Sequence, residues 1–285
     1  MKRVVITGAS TGIGWGTTRV LLDKGLRVFG SVRRTEDAAR LAAEFGERFT
    51  PLLFDVTDTK AVQAEAERVR AELKGETLFG LVNNAGIAVP GPLLHLPIDD
   101  FRRQIEVNLI AQVAVTQAFL PLLGTDRTLS GAPGRVVNIS SVGGRNGAPF
   151  LGPYAASKHA LEGFSESLRR ELMLYGIDVI IVAPGAIVTP IWDKGEQAAI
   201  TPYLDTEYVP ALKIVQKFMV STGRRGLPPE KVGQVIWTAL TSARPKVRYA
   251  VLPNPFSNFI RDLLPRRMVD NIIARGLGFK PGPRK

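Results

Sequence analysis

The 285-residue sequence contains no cysteine, which excludes disulfide staples and thiolate zinc sites. Histidine is nearly missing as well. His95 and His159 are too few to build a histidine-based metal site, so no metal is expected. Long apolar runs are absent. The first, VVIT from residue 4, is too short for a secretory h-region and reads as a strand. No stretch is long and apolar enough to cross a bilayer. The expected compartment is therefore the cytoplasm. Acidic charge is scarce at one end only. From Arg224 to Lys285 there are 13 Lys/Arg against 3 Asp/Glu, whereas residues 1–223 hold 24 against 23. The body is neutral and the tail is basic.

What remains is the composition of a globular chain, 45% hydrophobic and 22% charged. Apolar strand-like runs fall at 3–7, 26–31, 49–54, 78–82, 135–140, 177–183 and 246–251. Helical periodicity fills the gaps at 13–24, 36–45, 58–73, 99–122, 153–175 and 229–242. Strand–helix alternation with nearly continuous apolar strands predicts an α/β fold, a doubly wound parallel sheet of about seven strands covered on both faces. One domain over 1–252 is expected, with residues 190–228 breaking the alternation as a lid. Residues 253–285 would form a basic amphipathic extension packed on the same domain. Its first helix would use Phe256, Phe259, Ile260, Leu263 and Leu264. Pro265 breaks the pattern, and Met268, Val269, Ile272 and Ile273 resume it.

Directly after the first strand comes "TGASTGIG". Gly8, Gly12 and Gly14 allow a sharp turn and close approach of backbone N–H groups to a pyrophosphate. Ser10, Thr11 and Ile13 complete a turn at a helix N-terminus, where partial positive charge favours phosphate. An ordinary strand-to-helix turn would use glycines too. Further along stand Asp55 and Val56 after the third strand and Asn84, Ala85 and Gly86 within "NNAG" after the fourth. Asn108 lies within a helical stretch, Ser141 follows the fifth strand, and Tyr154 and Lys158 share one helix face. Pro184, Gly185, Ile187 and Thr189 lie in "PGAIVT" after the sixth strand. Tyr-x-x-x-Lys also arises by chance on ordinary helices. Ser140 competes with Ser141, and a buried Asn108 needs hydrogen-bond partners whether or not it has chemistry to do.

These motifs, in this order, resemble the short-chain dehydrogenase/reductase family over about residues 1–190, and the last strand more loosely. The resemblance implies a Rossmann-type sheet and hydride transfer between a nicotinamide dinucleotide and a carbonyl or carbinol carbon. It implies Asn108, Ser141, Tyr154 and Lys158 as the catalytic set, and its spacing favours Ser141 over Ser140. In the family, the residue at Asn108 distorts its helix. The resemblance also gives the adenine to Asp55 and Val56 and the adenosine ribose to Asn84, Ala85 and Gly86. Ile187 and Thr189 would meet the carboxamide and the phosphates, and Lys158 the nicotinamide ribose. The second strand ends with Val32 where an acid would select NAD(H), followed by Arg33 and Arg34. A guanidinium fork suits a 2′-phosphate, so NADP(H) is expected over NAD(H). A solvated arginine pair is the plainer reading. Lys158 beside Tyr154 should lower the phenol's pKa toward neutrality.

The tail is similar to that of steroid- and retinol-type members, which with the apolar lid residues (Ile191, Trp192, Tyr203, Leu204, Tyr208, Leu212, Phe218, Met219) suggests an apolar ketone, aldehyde or alcohol as substrate. Phe150, Leu151, Val89 and Leu93 would add wall. The same side chains could simply pack the lid. A homo-oligomer is expected from the family. The cationic end is a candidate for peripheral contact with anionic lipid, for subunit packing or for plain solvation. Nucleic acid is not expected. A nucleotide-sensing protein without turnover is the reading of another class, against which Tyr154 and Lys158 both count.

Overall fold

The computed structural model describes residues 1–189, 201–253 and 264–280. Seven strands form its centre: β1 (Arg3–Ile6), β2 (Arg27–Val32), β3 (Phe49–Leu53), β4 (Gly80–Asn83), β5 (Arg135–Ile139), β6 (Asp178–Pro184) and β7 (Arg248–Val251). All pair in parallel, in the order β3-β2-β1-β4-β5-β6-β7. Parallel strands need long crossovers, and the helices supplying them bury both faces of the sheet. Each strand lies within two residues of its expected span.

The helices are α1 (Gly12–Asp23), α2 (Thr35–Phe45), α3 (Thr59–Leu73), α4 (Ile98–Ile105), α5 (Ala111–Phe119), α6 (Gly152–Glu171), α7 (Val209–Arg224), α8 (Pro229–Thr241) and α9 (Arg266–Leu277). On one face of the sheet, Leu21 and Leu22 of α1 and Val232 and Ile236 of α8 join Val4, Ile6, Val82 and Val137 in one core. On the other, Val62, Val115 and Leu168 from α3, α5 and α6 meet Val5, Leu81, Val136 and Val179. Alternate residues of each strand thus serve opposite cores. Helices α1 and α8 approach so closely at Gly16 that a Cβ there would stand 2.6 Å from the Cβ of Pro229. Strand order reverses between β1 and β4, which opens a crevice at their carboxyl ends.

Three elements differ from expectation. The single helix expected over 99–122 is α4, a π turn at Glu106–Ile110, and α5, followed by a 3-10 turn at Pro121–Leu123. Of the apolar residues at helical spacing, Phe101, Ile105 and Val113 are half-buried and Phe119 is fully buried, while Gln104, Asn108 and Gln112 face inward. The amides join the buried face because they find backbone partners in the core. Secondly, the 190–228 segment, expected as a lid that breaks the alternation and without a helix assigned to it, contains α7. Its Ala211 and Leu212 are buried and Val215 packs behind them. Thirdly, α9 starts after Pro265 as expected, with Val269 and Ile273 half-buried but Met268 and Ile272 exposed. The expected helix using Phe256, Phe259, Ile260 and Leu263, and the lid residues Ile191 and Trp192, lie outside the described residues.

Candidate active site

The glycine turn lies at the switch point. Gly8 and Gly12 have φ of 68° and 58°, a left-handed conformation that favours glycine. A Cβ on Gly14 would stand 2.1 Å from the Gly8 carbonyl oxygen, so only glycine fits that contact. Thr7 Oγ1 accepts from the backbone N–H groups of Asn84 (2.9 Å) and Ala85 (3.0 Å), and Asn84 Nδ2 donates to the Thr7 and Gly8 carbonyls. Ser31 Oγ accepts from Gly8 N at 2.9 Å, and Arg40 Nη2 donates to Ser10 O at 2.8 Å. Three neighbouring strands and α2 therefore hold one short loop. Helix α1 has no acid in its first turn, so its positive end is not neutralised locally. Thr189 closes over the turn, 3.1 Å from where a Gly12 Cβ would be. Its own segment is clipped by Val188 N donating to Leu227 O and Leu227 N donating to Ala186 O.

At the end of β2, Val32 is buried in the core, so no carboxylate occupies that place. Arg33 is 68% exposed and leans toward Asp55, 3.7 Å away. Arg34 lies 3.5 Å from Asp37. Burial pushes the Asp55 carboxyl up, but hydrogen bonds from Thr57 and the Arg33 charge leave it below its ordinary value. Asp55 Oδ1 accepts from Thr57 N and Oγ1, which fixes the turn that carries Val56. Two guanidinium groups with no acid at Val32, beside a turn that a Cβ would block, fit a dinucleotide carrying an extra phosphate.

Ser141 and Tyr154 meet at the carboxyl end of β5. Both side chains flank Gly143, where a Cβ would stand 3.3 Å from Tyr154 Cε1 and 3.4 Å from Ser141 Oγ, and Ser141 Oγ accepts from Gly143 N at 3.0 Å. Ser140 turns the other way, is buried, and donates to Glu162 Oε1 at 2.9 Å. Lys158 is buried one turn after Tyr154. Its Nζ donates to Ile139 O at 2.7 Å and lies 5.9 Å from the centre of the Tyr154 ring. The expected lowering of the phenol by this ammonium is not what dominates. Burial pushes the Tyr154 phenol up, opposed by the Ser141 hydrogen bond, and burial pulls Lys158 down to about 8. Desolvation of both groups outweighs their mutual effect.

Asn108 sits in the π turn. Its Oδ1 accepts from Ile87 N (2.8 Å) and its Nδ2 donates to Ile87 O (3.0 Å) and Ser157 Oγ (3.2 Å). Four residues earlier, Gln104 accepts from Val89 N and donates to Ile87 O. Four residues later, Gln112 donates to Ala85 O. Three amides on one helix face thus pair with the backbone of residues 85–89, beyond β4, and give that stretch the partners a strand would give it. Gln104 and Gln112 escaped the sequence reading, although the spacing Gln-x-x-x-Asn-x-x-x-Gln, which puts three amides on one helix face, was the signal. Glu162 escaped too. It receives Ser140, Arg145 (3.2 Å) and Arg248 (2.9 Å), and so binds the end of β5, the turn after Ser141 and β7 together. Burial raises its carboxyl, but these partners bring it below the ordinary value.

A small apolar cluster includes the residues just before α6. Phe150, Tyr203, Ala211 and Leu212 are buried together, with Leu96, Tyr208, Val215 and Leu277 packed on them. Of the expected wall, Leu204 and Phe218 are exposed, as is Leu93, whose Cδ1 would be 2.7 Å from a Cβ on Gly152. His95 stacks edge-on against Tyr208 at 5.8 Å, and His159 Nδ1 bonds Ala155 O within its own helix. Among the described residues no group of His, Asp or Glu could hold a metal ion.

The sequence profile of the short chain dehydrogenase family matches residues 2–199. An NADPH-dependent 3-dehydrocapnine reductase from Ornithobacterium rhinotracheale is 41% identical over 278 residues, 97% of this chain and 98% of the relative. Human retinol dehydrogenase 5 is 37% identical over 261 residues, covering 87% of this chain and 79% of the relative. The crystal structure of a short-chain dehydrogenase from Streptomyces avermitilis superposes with a TM-score of 0.75 at 29% identity, over 96% of this chain and 94% of that one.

Proposed function

The chain belongs to the short chain dehydrogenase family and is an oxidoreductase, and from that premise we propose that it is an NADP(H)-dependent reductase of an apolar ketone or aldehyde. The observation that carries this reading is that Ser141 and Tyr154 flank Gly143 together, with Lys158 buried one turn behind, at the sheet edge that also bears the glycine turn. Two features support the phosphorylated cofactor: Arg33 and Arg34 follow a buried Val32, and the 41% identical relative is named for NADPH.

The cofactor would rest on Gly8, Ser10, Thr11, Gly12, Ile13 and Gly14, with Arg33 and Arg34 at the extra phosphate and Asp55 and Val56 at the adenine. Asn84, Ala85 and Gly86 would line the ribose, and Pro184, Gly185, Ile187 and Thr189 the nicotinamide end. When bound it supplies the hydride. Ser141 and Tyr154 would both hold the carbonyl oxygen, and Tyr154 would give up its proton as that oxygen becomes a hydroxyl. The raised pKa of the phenol suits a donor that stays protonated until then. Lys158 would hold the nicotinamide ribose and stabilise the phenolate left behind. Asn108 would keep Ser157, and through it the start of α6, in place.

The test is NADPH consumption with a panel of apolar carbonyls. Tyr154→Phe should turn over about a thousandfold more slowly while binding NADPH as the wild type does. Equal turnover by the variant would refute the mechanism. Wild-type NADPH binding without any turnover would favour the nucleotide-sensing reading, and consumption of NADH at the same rate would remove the NADP(H) preference.

The finer expectations stand as proposals on specific surfaces. Helices α7 and α9 expose the pairs Ile214/Phe218 and Met268/Ile272 beside Lys213, Lys217, Arg267 and Arg275, which supports peripheral contact with anionic lipid. No helix among the described residues is long and apolar enough to cross a membrane. Co-sedimentation with phosphatidylserine vesicles should be lost in Phe218→Asp/Ile272→Asp. No binding by the wild type would end the idea. Exposed Ile110 and the half-buried Phe101, Ile105 and Val113 support self-association, which light scattering would read as a mass above one chain.

A further inference from the structure

Among the described residues only two non-glycines have positive φ, Lys74 and Phe150. Lys74 ends α3 on the surface, where left-handed backbone is routine. Phe150, with φ of 64°, does the reverse: it precedes a helix, it is bulky, and it is 8% exposed. A buried aromatic in that conformation is strained and persists only where its surroundings over-determine it.

Those surroundings come from three distant segments. Gly91 N donates to the Phe150 carbonyl at 2.8 Å. The ring is met edge-on by Tyr208, just before α7, at 5.8 Å and by Phe279, just after α9, at 6.2 Å. Tyr208 and Phe279 also meet each other at 6.4 Å, closing an aromatic triangle. Phe279 is aimed there by the end of α9. Gly278 takes φ of 71°, and Phe279 N donates to Ala274 O at 2.9 Å. A second tether, Arg266 Nη1 to Asn146 Oδ1 at 3.1 Å, joins the start of α9 to the same loop. That loop, residues 142–151, is the whole connection between Ser141 and the helix bearing Tyr154.

We propose that Phe150 is a positioning residue and that Phe279 of the C-terminal segment latches it, so that this segment sets the substrate wall and the spacing of Ser141 and Tyr154. The inference rests on the proposed reductase reading only for its kinetic consequence; the latch itself is a statement about structure. Among the described residues no hydrogen bond, ion pair or ring contact joins the glycine turn or Arg33 to the triangle, so cofactor binding should not feel it.

The experiment uses the full chain with Phe279→Ala, Phe279→Tyr, Phe150→Ala, Phe150→Gly and the double alanine variant. Hydrogen exchange of peptides covering 142–153 should quicken about tenfold in Phe279→Ala and recover in Phe279→Tyr. Phe150→Ala, which loses the ring and keeps the strain, should exchange faster than Phe150→Gly, which loses both. The double variant should add little to either single change, because the pair acts as one contact. In kinetics, Phe279→Ala should lower kcat/KM for the carbonyl about tenfold, chiefly through KM, with NADPH affinity unchanged. Unchanged exchange over 142–153 in Phe279→Ala overturns the latch, as does a matching loss of NADPH affinity, which would mean general loosening. A wild-type protein that reduces no carbonyl would defeat the reductase reading alone, since exchange still decides the latch.

Discussion

The glycine turn and the aromatic cluster proposed as the substrate wall are built by opposite means. The glycine wall uses residues 7–14, held by hydrogen bonds from Ser31, Arg40 and Asn84, and its shape lies in the backbone. The aromatic wall uses side chains from residues 91–150, 203–215 and 277–279, held by ring contacts among segments far apart in the chain. A phosphate asks for N–H groups and room, which a few glycines supply in one stretch. An apolar ligand asks only for shape, which any packed set of side chains can supply. The first wall therefore has a sequence signature and the second does not.

If that contrast is right, changes on one wall should leave the other's binding alone. The largest effect is expected from Gly14→Ala, whose Cβ would collide with the Gly8 carbonyl. NADPH affinity should fall on the order of a hundredfold, measured by fluorescence titration, while the apolar wall stays as protected from hydrogen exchange as in the wild type. Next, Arg33→Asp should cut the NADPH-to-NADH preference roughly tenfold to a hundredfold, read as the ratio of kcat/KM values, with carbonyl KM unchanged.

The pH profile sharpens the comparison where the walls meet. Lys158 sits at about 8, below its ordinary 10.5, because it is buried. Its charged form is present below that pH and lost above it. The kcat/KM for reduction should then be level below pH 8 and fall about tenfold per unit beyond it. Stability should rise between pH 8 and 10.5, since the unfolded chain holds more protons there. Lys158→Arg should move the fall in kcat/KM upward. A profile falling toward low pH would contradict this assignment.

The smallest effect on binding is expected from Glu162→Gln. It leaves the half-buried guanidinium of Arg248 without its charge partner and should cost about 3 kcal/mol in urea unfolding. NADPH affinity should stay within about twofold. The carboxylate's folded value is depressed, so its stabilisation holds above the unfolded value and fades as pH falls through the folded one.

Sequence and structure part company at particular residues. Apolar runs revealed every strand, most clearly the central ones, because a strand buried on both faces tolerates little else; the edge strands β3 and β7 are only partly buried. Asn108 was legible through the resemblance, and the π turn around it agrees with the distortion that resemblance implied. Gln104 and Gln112 were not, because an amide buried for its backbone partners looks like a surface residue in a list. Helix α7 was missed because it begins among prolines and aromatic residues and buries only a narrow stripe.

The sequence by itself determined the parallel sheet, the glycine turn after β1, and the order in which Ser141, Tyr154 and Lys158 arrive, since each follows from local spacing and backbone sterics. Tertiary structure alone decided that Glu162 is the partner that Ser140 finds inside, that burial governs both the phenol and the ammonium, and that Phe279 comes to rest against Phe150. Those outcomes depend on how much water remains around a group and on which distant segment removes it, and neither quantity is written in any short stretch of chain.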